Sequence, residues 1–215
     1  MRYENSGNAS VLALLPSSAV RVLDVGCGAG DNARLLQANG HRVSGVTVSP
    51  EEAHVARKYC ERVWVGDVER MPLPTDAGPF DALLMSHVVE HLVEPSATIT
   101  RLAPLLRPQG WLVVAVPNMA FWRVRWRVLR GDWSREDTGF FDRTHVQFWT
   151  YDTRGEILRG TPFELLRAYG ADGGVPLRPL RRRSPRLASR LDRAGLALLP
   201  NLVAAQLLLL ARRLV

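Results

Sequence analysis

The chain has 215 residues, 47% of them hydrophobic, which suits one domain with a full core rather than two. Its formal net charge is +7, but residues 178–193 hold seven arginines against one aspartate, so 7 − 1 = +6 lies in one segment. Two cysteines exclude a disulfide framework, and the longest apolar run, 202–211, is too short to span a bilayer. The N-terminus lacks a signal-peptide pattern, so we expect a cytoplasmic protein.

Apolar runs alternate with helical patterns along most of the chain. The predicted strands cover 20–25, 42–48, 63–65, 80–86, 111–116, 163–169 and 205–211. The predicted helices cover 31–39, 50–60, 97–106, 120–130 and 151–159, and the arginine-rich residues 178–200 are predicted as a helical insertion before the last strand. This alternation is typical of a parallel sheet covered on both faces. We therefore expect one α/β domain over 1–215, with a Rossmann-like, seven-stranded, mostly parallel sheet.

The segment VLDVGCGAG, residues 22–30, joins the first predicted strand to the first predicted helix. Its glycines, Gly26, Gly28 and Gly30, occupy alternate positions. Such glycines allow a sharp turn and let a ligand approach the backbone closely. The helix that follows offers free N–H groups and the positive end of its dipole. The segment therefore predicts a nucleotide-type binding site at the end of the first strand.

Residues 22–30 resemble the first motif of the class I S-adenosylmethionine-dependent methyltransferases. The dehydrogenase fingerprint would need a further glycine near Arg34. The resemblance covers about 20–118 and includes VWVGDVERMPLP, FDALLMSHVVEHL and RLAPLLRPQGWLVVAVPN. It implies S-adenosylmethionine as the cofactor, with residues 20–118 as the cofactor-binding core. The cofactor-binding residues that it implies are Asp24, Gly26, Gly28, Gly30, Thr47, Val48, Asp67, Val68, Ser86 and His87, with Asp67 on the adenine amino group.

Thr47 departs from the family pattern, in which an acid at the end of the second strand usually binds both ribose hydroxyls. Threonine resembles the cyclopropane-synthase-like members at this position. A hydroxyl can make one such bond, and Glu52 or Ser49 are candidates for another. Loss of one charged hydrogen bond would cost about 1–2 kcal/mol of cofactor affinity. This departure keeps a non-catalytic binding protein open as an alternative function.

The pentad 87–91, HVVEH, fits the H-x-x-E-H pattern of one group of zinc proteases. A zinc site of that kind needs both histidines on one regular helix and a third ligand. Because the pentad directly follows a strand, where the methyltransferase pattern places such a segment, we expect no metal here. Ser86 and His87 are then expected to line the cofactor pocket. His91 either faces the substrate cleft, as a catalytic candidate, or is a structural histidine.

The stretch GFFDRTHVQFWT, residues 139–150, resembles a segment after the fifth strand in one bacterial branch of the family, with Asp-Arg-Thr-His followed by aromatic residues. Many members of that branch methylate small molecules, glycans or lipid precursors. Transfer to a hydroxyl is helped by a general base. We take His145 as the candidate base, with Asp142 orienting it and the aromatic residues forming a dry wall. The alternative is that Arg143 pairs with a carboxylate, Thr144 caps a turn and His145 is structural.

We therefore predict a methyltransferase that acts on a small-molecule acceptor, by O-methylation, with 119–160 as a lid and substrate region. An RNA or protein methyltransferase is disfavoured because SHVVEH stands where a polar-Pro-Pro-aromatic motif would occur. Nucleic acid is also disfavoured because no aromatic residues are interleaved with the arginines of 178–200. Leucines in that insertion favour a membrane surface or an acyl chain, and they are Leu187, Leu191, Leu196 and Leu199. The alternative is a solvated helical insertion without a partner. The sequence leaves monomer and homodimer open.

Overall fold

The computed structural model describes residues 7–72, 78–177 and 182–214. A seven-stranded sheet runs in the order β3-β2-β1-β4-β5-β7-β6. β7 is antiparallel to both of its neighbours, and the strands from β3 to β5 pair in parallel. The predicted Rossmann-like sheet is therefore confirmed. The strands are β1 Arg21–Val25, β2 Arg42–Thr47, β3 Arg62–Val65, β4 Phe80–Ser86, β5 Leu106–Pro117, β6 Phe163–Ala171 and β7 Gln206–Arg213.

Helices lie between most of these strands. They are α1 Ala9–Leu12, α2 Asp31–Ala38, α3 Pro50–Ala56, α4 Pro95–Leu102, α5 Trp122–Leu129, α6 Pro185–Leu198 and α7 Pro200–Val203. The last two form the predicted insertion before the final strand, and residues 178–181 of that insertion lie outside the described residues. Across residues 7–72, 78–177 and 182–214, no helix combines the length and the apolar character that crossing a membrane requires.

Two predicted elements differ from the structure. The helix expected over 151–159 is a turn followed by a 3₁₀ segment, Arg154–Leu158, because the Thr153 hydroxyl accepts the Thr150 amide and closes a turn there. β5 is longer than predicted, since the proline and glycine at 108 and 110 lie within it. The pairing with β4 moves from Phe80↔Leu106 to Ala82↔Trp111, so these residues are accommodated in an irregular segment.

The side chains of β1 alternate between the two faces of the sheet. Leu23 and Val25 join one core cluster with α4, and Val22 joins the other with α1 and α2. Each fully buried leucine of such a core contributes about 1.5–3 kcal/mol. Because β1, β2 and β4 are parallel, their carboxyl ends reach the same edge of the sheet, and the segments that follow them meet there.

Candidate active site

The glycine turn after β1 has left-handed backbone at all three predicted positions, with φ of 74° at Gly26, 52° at Gly28 and 90° at Gly30. A side-chain carbon on Gly26 would lie 2.3 Å from Val88 Cγ2, and one on Gly30 would lie 3.0 Å from Ala56 Cα. Those two glycines are needed for packing. Gly28 differs, because a side-chain carbon there would meet only Glu52 Oε2, at 3.8 Å. The turn is thus open to a ligand at Gly28.

Glu52 brings a carboxylate to the end of β2, where Thr47 replaces the usual acid. The Thr47 hydroxyl donates to Glu52 Oε2 at 3.2 Å. Ser49, the other candidate, already caps α3 by accepting the Glu52 amide, and its hydroxyl donates to Glu51. Glu52 is therefore the acid that lies beside both Thr47 and the open side of Gly28, where a ligand with two hydroxyls would need acceptors.

Asp24, at the end of β1, is buried, and neither of its carboxylate oxygens has a hydrogen-bond partner among the described residues. Burial raises the pKa of Asp24 to about 7. A buried carboxylate of this kind gains most from a cationic partner. The ammonium group of S-adenosylmethionine would supply one, so the residue fits that cofactor.

Asp67 and Val68 follow β3 at the same edge, and Val48 follows β2. Asp67 Oδ1 accepts the Glu69 amide at 2.9 Å, and Oδ2 lies 3.6 Å from Arg70 Nε. Val68 is buried, whereas Val48 is exposed. These contacts fix the segment in which the resemblance places the adenine, and half of the Asp67 side chain stays accessible to a ligand.

His87 links the end of β4 to the last strand. Its backbone is left-handed, with φ of 56°. Its Nδ1 lies 3.1 Å from Glu90 Oε1 and its Nε2 lies 3.0 Å from Gln206 Oε1. Burial acts to lower the pKa of His87, but the hydrogen bond and charge of Glu90 raise it above its ordinary value. Both ring nitrogens face acceptor oxygens, so the protonated imidazole fits here.

Sequence analysis missed Asn8 and Gln206 as parts of this network. The Asn8 amide donates to Gln206 Oε1 at 2.8 Å and to the Ser86 hydroxyl at 3.3 Å. A signal does exist, since Gln206 interrupts an apolar strand and is buried. The sequence gives no indication of which distant residues satisfy its amide.

The structure brings the two catalytic candidates His91 and His145 together with Glu90, and we call these three residues the Glu–His–His cluster. The imidazole centroids lie 4.8 Å apart, and His145 Nε2 lies 4.0 Å from Glu90 Oε1. Burial lowers the pKa of His145 below its ordinary value, against the opposing charge of Glu90. His145 is therefore neutral at pH 7, as a proton acceptor must be.

Asp142 acts on this cluster through Thr144. The Thr144 amide and hydroxyl both donate to Asp142 Oδ1, at 2.8 and 2.6 Å. The same hydroxyl lies 2.9 Å from His91 Nδ1. The charge of Asp142 also acts to raise the pKa of His145. Asp142 was expected to orient His145, and its hydrogen bonds with Thr144 connect it to His91 as well.

Arg135, which sequence analysis did not single out, holds the lid segment in place. Its Nη2 donates to the carbonyl oxygens of Asp142, Arg143 and His145 at 2.9, 2.8 and 3.0 Å. The Arg143 side chain pairs with Asp137 at 3.0 Å on the surface. The backbone of residues 142–145 is therefore fixed by a guanidinium from an earlier part of the same lid region.

The aromatic residues of this region divide into buried and exposed ones. Phe141 and Trp149 are buried, whereas Phe148 is 47% exposed. Trp126 and Trp133 are 52% and 56% exposed, so neither packs in the core. Trp126 lies instead under the Arg130 guanidinium, a contact that does not require burial.

Comparison with known proteins agrees with this geometry. The profile of a family described as "Methyltransferase domain" matches residues 1–168. The chain belongs to this methyltransferase family. Two curated relatives, from a Caulobacter species and Cereibacter sphaeroides, are both named ubiquinone biosynthesis O-methyltransferase. They are 32% and 33% identical over 54% and 57% of this chain, which correspond to 47% and 56% of their own lengths. The chain thus spans about half the length of the curated relatives it matches.

Solved structures show the same fold. An S-adenosylmethionine-dependent methyltransferase from Mesorhizobium loti aligns with a TM-score of 0.62 at 20% identity, covering 95% of this chain and 96% of that one. One from Thermotoga maritima aligns with a TM-score of 0.65 at 19% identity, over 95% and 86%. The fold predicted for this methyltransferase is therefore confirmed, and S-adenosylmethionine is the cofactor that its family and its carboxyl-edge residues support.

Proposed function

We propose that this methyltransferase transfers the methyl group of S-adenosylmethionine to a hydroxyl oxygen of a small molecule. The observation that carries the proposal is the position of the Glu–His–His cluster. Glu90 bonds to His87 at the end of β4, and Val88 packs against Gly26 in the glycine turn. The Glu–His–His cluster, whose side chains can accept protons, is therefore linked through residues 87 and 88 to the turn where the resemblance places the cofactor.

The cofactor supplies a methyl group on a positively charged sulfur, and the protein must hold the acceptor oxygen in line with it. Gly28 lets the ligand approach the backbone, and Glu52 with Thr47 offers oxygens to its ribose hydroxyls. Asp24 offers a carboxylate to its ammonium group. His145 accepts the hydroxyl proton, because its imidazole is neutral and lies beside Glu90 and His91. A general base of this kind contributes about 10²–10⁴-fold in rate.

The named activity of the curated relatives supports oxygen as the acceptor atom, and a hydroxylated aromatic compound is the class we propose to test first. Purified protein is incubated with S-adenosylmethionine carrying a labelled methyl group and a panel of catechols, phenols and matched aromatic amines. We expect label on the hydroxylated compounds and not on the amines. Labelling of amines, RNA or protein instead would overturn O-methylation, and cofactor binding without transfer to any class would indicate a binding protein.

We further propose that α6 contacts an anionic membrane surface. Ala188 is buried and Asp192 accepts the Val175 amide, so these residues face the protein. Leu187 and Leu191, one helical turn apart, are 45% and 37% exposed. Three arginines lie beside them, at 186, 190 and 193. Exposed leucines next to arginines are typical of a helix that lies in the interface of an anionic bilayer.

We expect the protein to sediment with vesicles that contain phosphatidylglycerol and not with pure phosphatidylcholine vesicles, because the arginines need anionic lipid. Replacing Leu187 and Leu191 together by serine should reduce the bound fraction several-fold, since the apolar contact is lost while the charge remains. Leu166→Ser, at a leucine that is 41% exposed on β6, is the matched control. Equal sedimentation of the α6 variant and the wild type would refute a contact through α6.

A further inference from the structure

Glu90 has an unused carboxylate oxygen at the centre of the Glu–His–His cluster. The residue is 1% exposed, and its Oε2 is buried without a hydrogen-bond partner among the described residues. Its other oxygen, Oε1, accepts from His87. An unsatisfied buried carboxylate oxygen costs free energy unless something supplies a positive charge or a proton. His87 already bonds to Oε1, and the imidazoles of His91 and His145 are the other two rings at this carboxylate.

The hydrogen bonds of His91 place its proton on the nitrogen that faces Thr144 when the ring is neutral. The Thr144 hydroxyl has one proton, which it donates to Asp142 at 2.6 Å. Towards His91 it is therefore the acceptor, and His91 Nδ1, at 2.9 Å, carries the proton. In the neutral ring, the other nitrogen, Nε2, then presents a lone pair.

His145 has the same arrangement. The backbone of Phe140 acts on its ring as a hydrogen-bond acceptor, which favours a proton on the ring nitrogen nearest to it. Its Nε2 lies 4.0 Å from Glu90 Oε1, and we assign the proton that faces Phe140 to the other nitrogen, Nδ1. The second nitrogen of this ring also presents a lone pair. Three groups that only accept therefore converge, and their ligand atoms all lie within 4.8 Å of one another.

We propose that Glu90, His91 and His145 bind a divalent transition-metal ion. Two imidazole nitrogens and one carboxylate are a donor set suited to Zn²⁺, Co²⁺ or Fe²⁺, and they leave coordination positions open for a further ligand. The contacts of the nitrogens that would not bind the ion fit as well. Metal-bound histidines usually donate their other N–H to a carbonyl or to a group held by a carboxylate. Phe140 supplies that acceptor for His145, and Thr144 with Asp142 supplies it for His91.

This site is not the one that the H-x-x-E-H pattern would describe. In that pattern the two histidines of the pentad would be ligands on one helix. Here residues 89–91 form a 3₁₀ turn, and both nitrogens of His87 face the oxygens of Glu90 and Gln206. His87 therefore orients the carboxylate, and the second histidine ligand comes from the lid segment.

A catalytic role for this metal site rests on the proposed function, O-methylation. A bound ion would occupy the nitrogen of His145 that accepts the proton in the metal-free protein. The ion would then activate the acceptor hydroxyl itself, by lowering the pKa of that hydroxyl. Metal binding and methyl transfer can be measured separately, so the failure of one does not imply the failure of the other.

The test is a titration of the full chain, freed of metal by a chelator, with Co²⁺ followed by visible absorption and with Zn²⁺ by calorimetry. We expect one ion per chain and a Co²⁺ spectrum typical of nitrogen and oxygen ligands. Glu90→Gln and His145→Ala should abolish saturable binding. Thr144→Val, which keeps the ligands and removes the acceptor for His91, should weaken binding about 10–100-fold.

The control is His54→Ala, at an exposed histidine on α3, which should bind the ion as the wild type does. Circular dichroism and thermal unfolding show that each variant is folded. Wild-type protein that binds no ion, or ligand variants that bind as tightly as wild type, would overturn the metal site. Full methyl transfer by ion-free protein in that case would leave the proposed function standing. Tight metal binding without transfer to any acceptor would support the metal site and overturn the proposed O-methylation.

Discussion

Gly28→Arg is expected to abolish binding of S-adenosylhomocysteine while leaving the protein folded. Among the described residues, Glu52 Oε2 is the only heavy atom within 4 Å of a side-chain carbon at this position, so the arginine has room and gains an ion pair. It would then fill the space beside the glycine turn and occupy the carboxylate offered to the ribose. The left-handed backbone at this residue adds about 1–2 kcal/mol of strain, which a folded domain tolerates. Calorimetry with S-adenosylhomocysteine measures the loss.

Gly40→Arg is a matched control, because Gly40 also has a left-handed backbone, with φ of 86°, and has no heavy atom within 4 Å of its would-be side chain. It should carry similar strain and bind the ligand normally. Glu52→Gln should weaken binding about tenfold, as expected for the loss of one charged hydrogen bond. Normal affinity in Gly28→Arg would place the cofactor elsewhere and refute the site described above.

His145→Ala should lower kcat/KM for methyl transfer by about 10²–10⁴-fold while leaving the affinity for S-adenosylhomocysteine unchanged. The reason is that the imidazole lies beside Glu90 and His91, whereas the predicted cofactor residues lie on the glycine turn and at the ends of β2, β3 and β4. The assay is initial-rate kinetics with the best acceptor from the panel, with the metal content of each preparation recorded. The substitution also removes a side chain that contacts the buried Glu90, which can lower the stability of the fold. Folding is therefore checked by thermal unfolding.

His54→Ala serves as the comparison, because it removes an imidazole from the surface of α3 without touching the cluster. A His145→Ala enzyme with wild-type kcat/KM would show that the residue is structural, the alternative left open by the sequence. A loss of cofactor affinity of the same size as the loss of rate would assign His145 to cofactor binding instead.

The sheet and the glycine turn were predictable because their signals are local. Residues of β1 alternate between two cores with a period of two, and the glycines must be glycines at positive φ. The irregular part of β5 was not predictable, because Pro108 and Gly110 usually end elements and here are accommodated by a shift in pairing with β4. Propensity rules describe an isolated segment, whereas the extent of β5 is decided by its pairing with β4.

The site was predictable in its residue types and much less in its contacts. His91 and His145 were both candidates, but nothing in the sequence shows that they share a carboxylate, because the lid must first fold back onto the segment after β4. Glu52 was one of two candidates for the ribose, and only the cap that Ser49 makes on α3 decides between them. The network of Asn8 and Gln206 joins the two ends of the chain, a separation that no motif spans.

Glu90 holds the lid by its backbone as well as facing the cluster by its side chain. The amides of Val146 and Gln147 both donate to its carbonyl oxygen, at 2.9 and 3.1 Å. Its carboxylate meanwhile bonds to His87, next to the predicted cofactor pocket. A molecule that displaces the lid must therefore strain the same residue that positions His87. Binding of the cofactor and binding of the acceptor would then be coupled. If one of them changes the affinity for the other by some factor, the second must change the affinity for the first by the same factor.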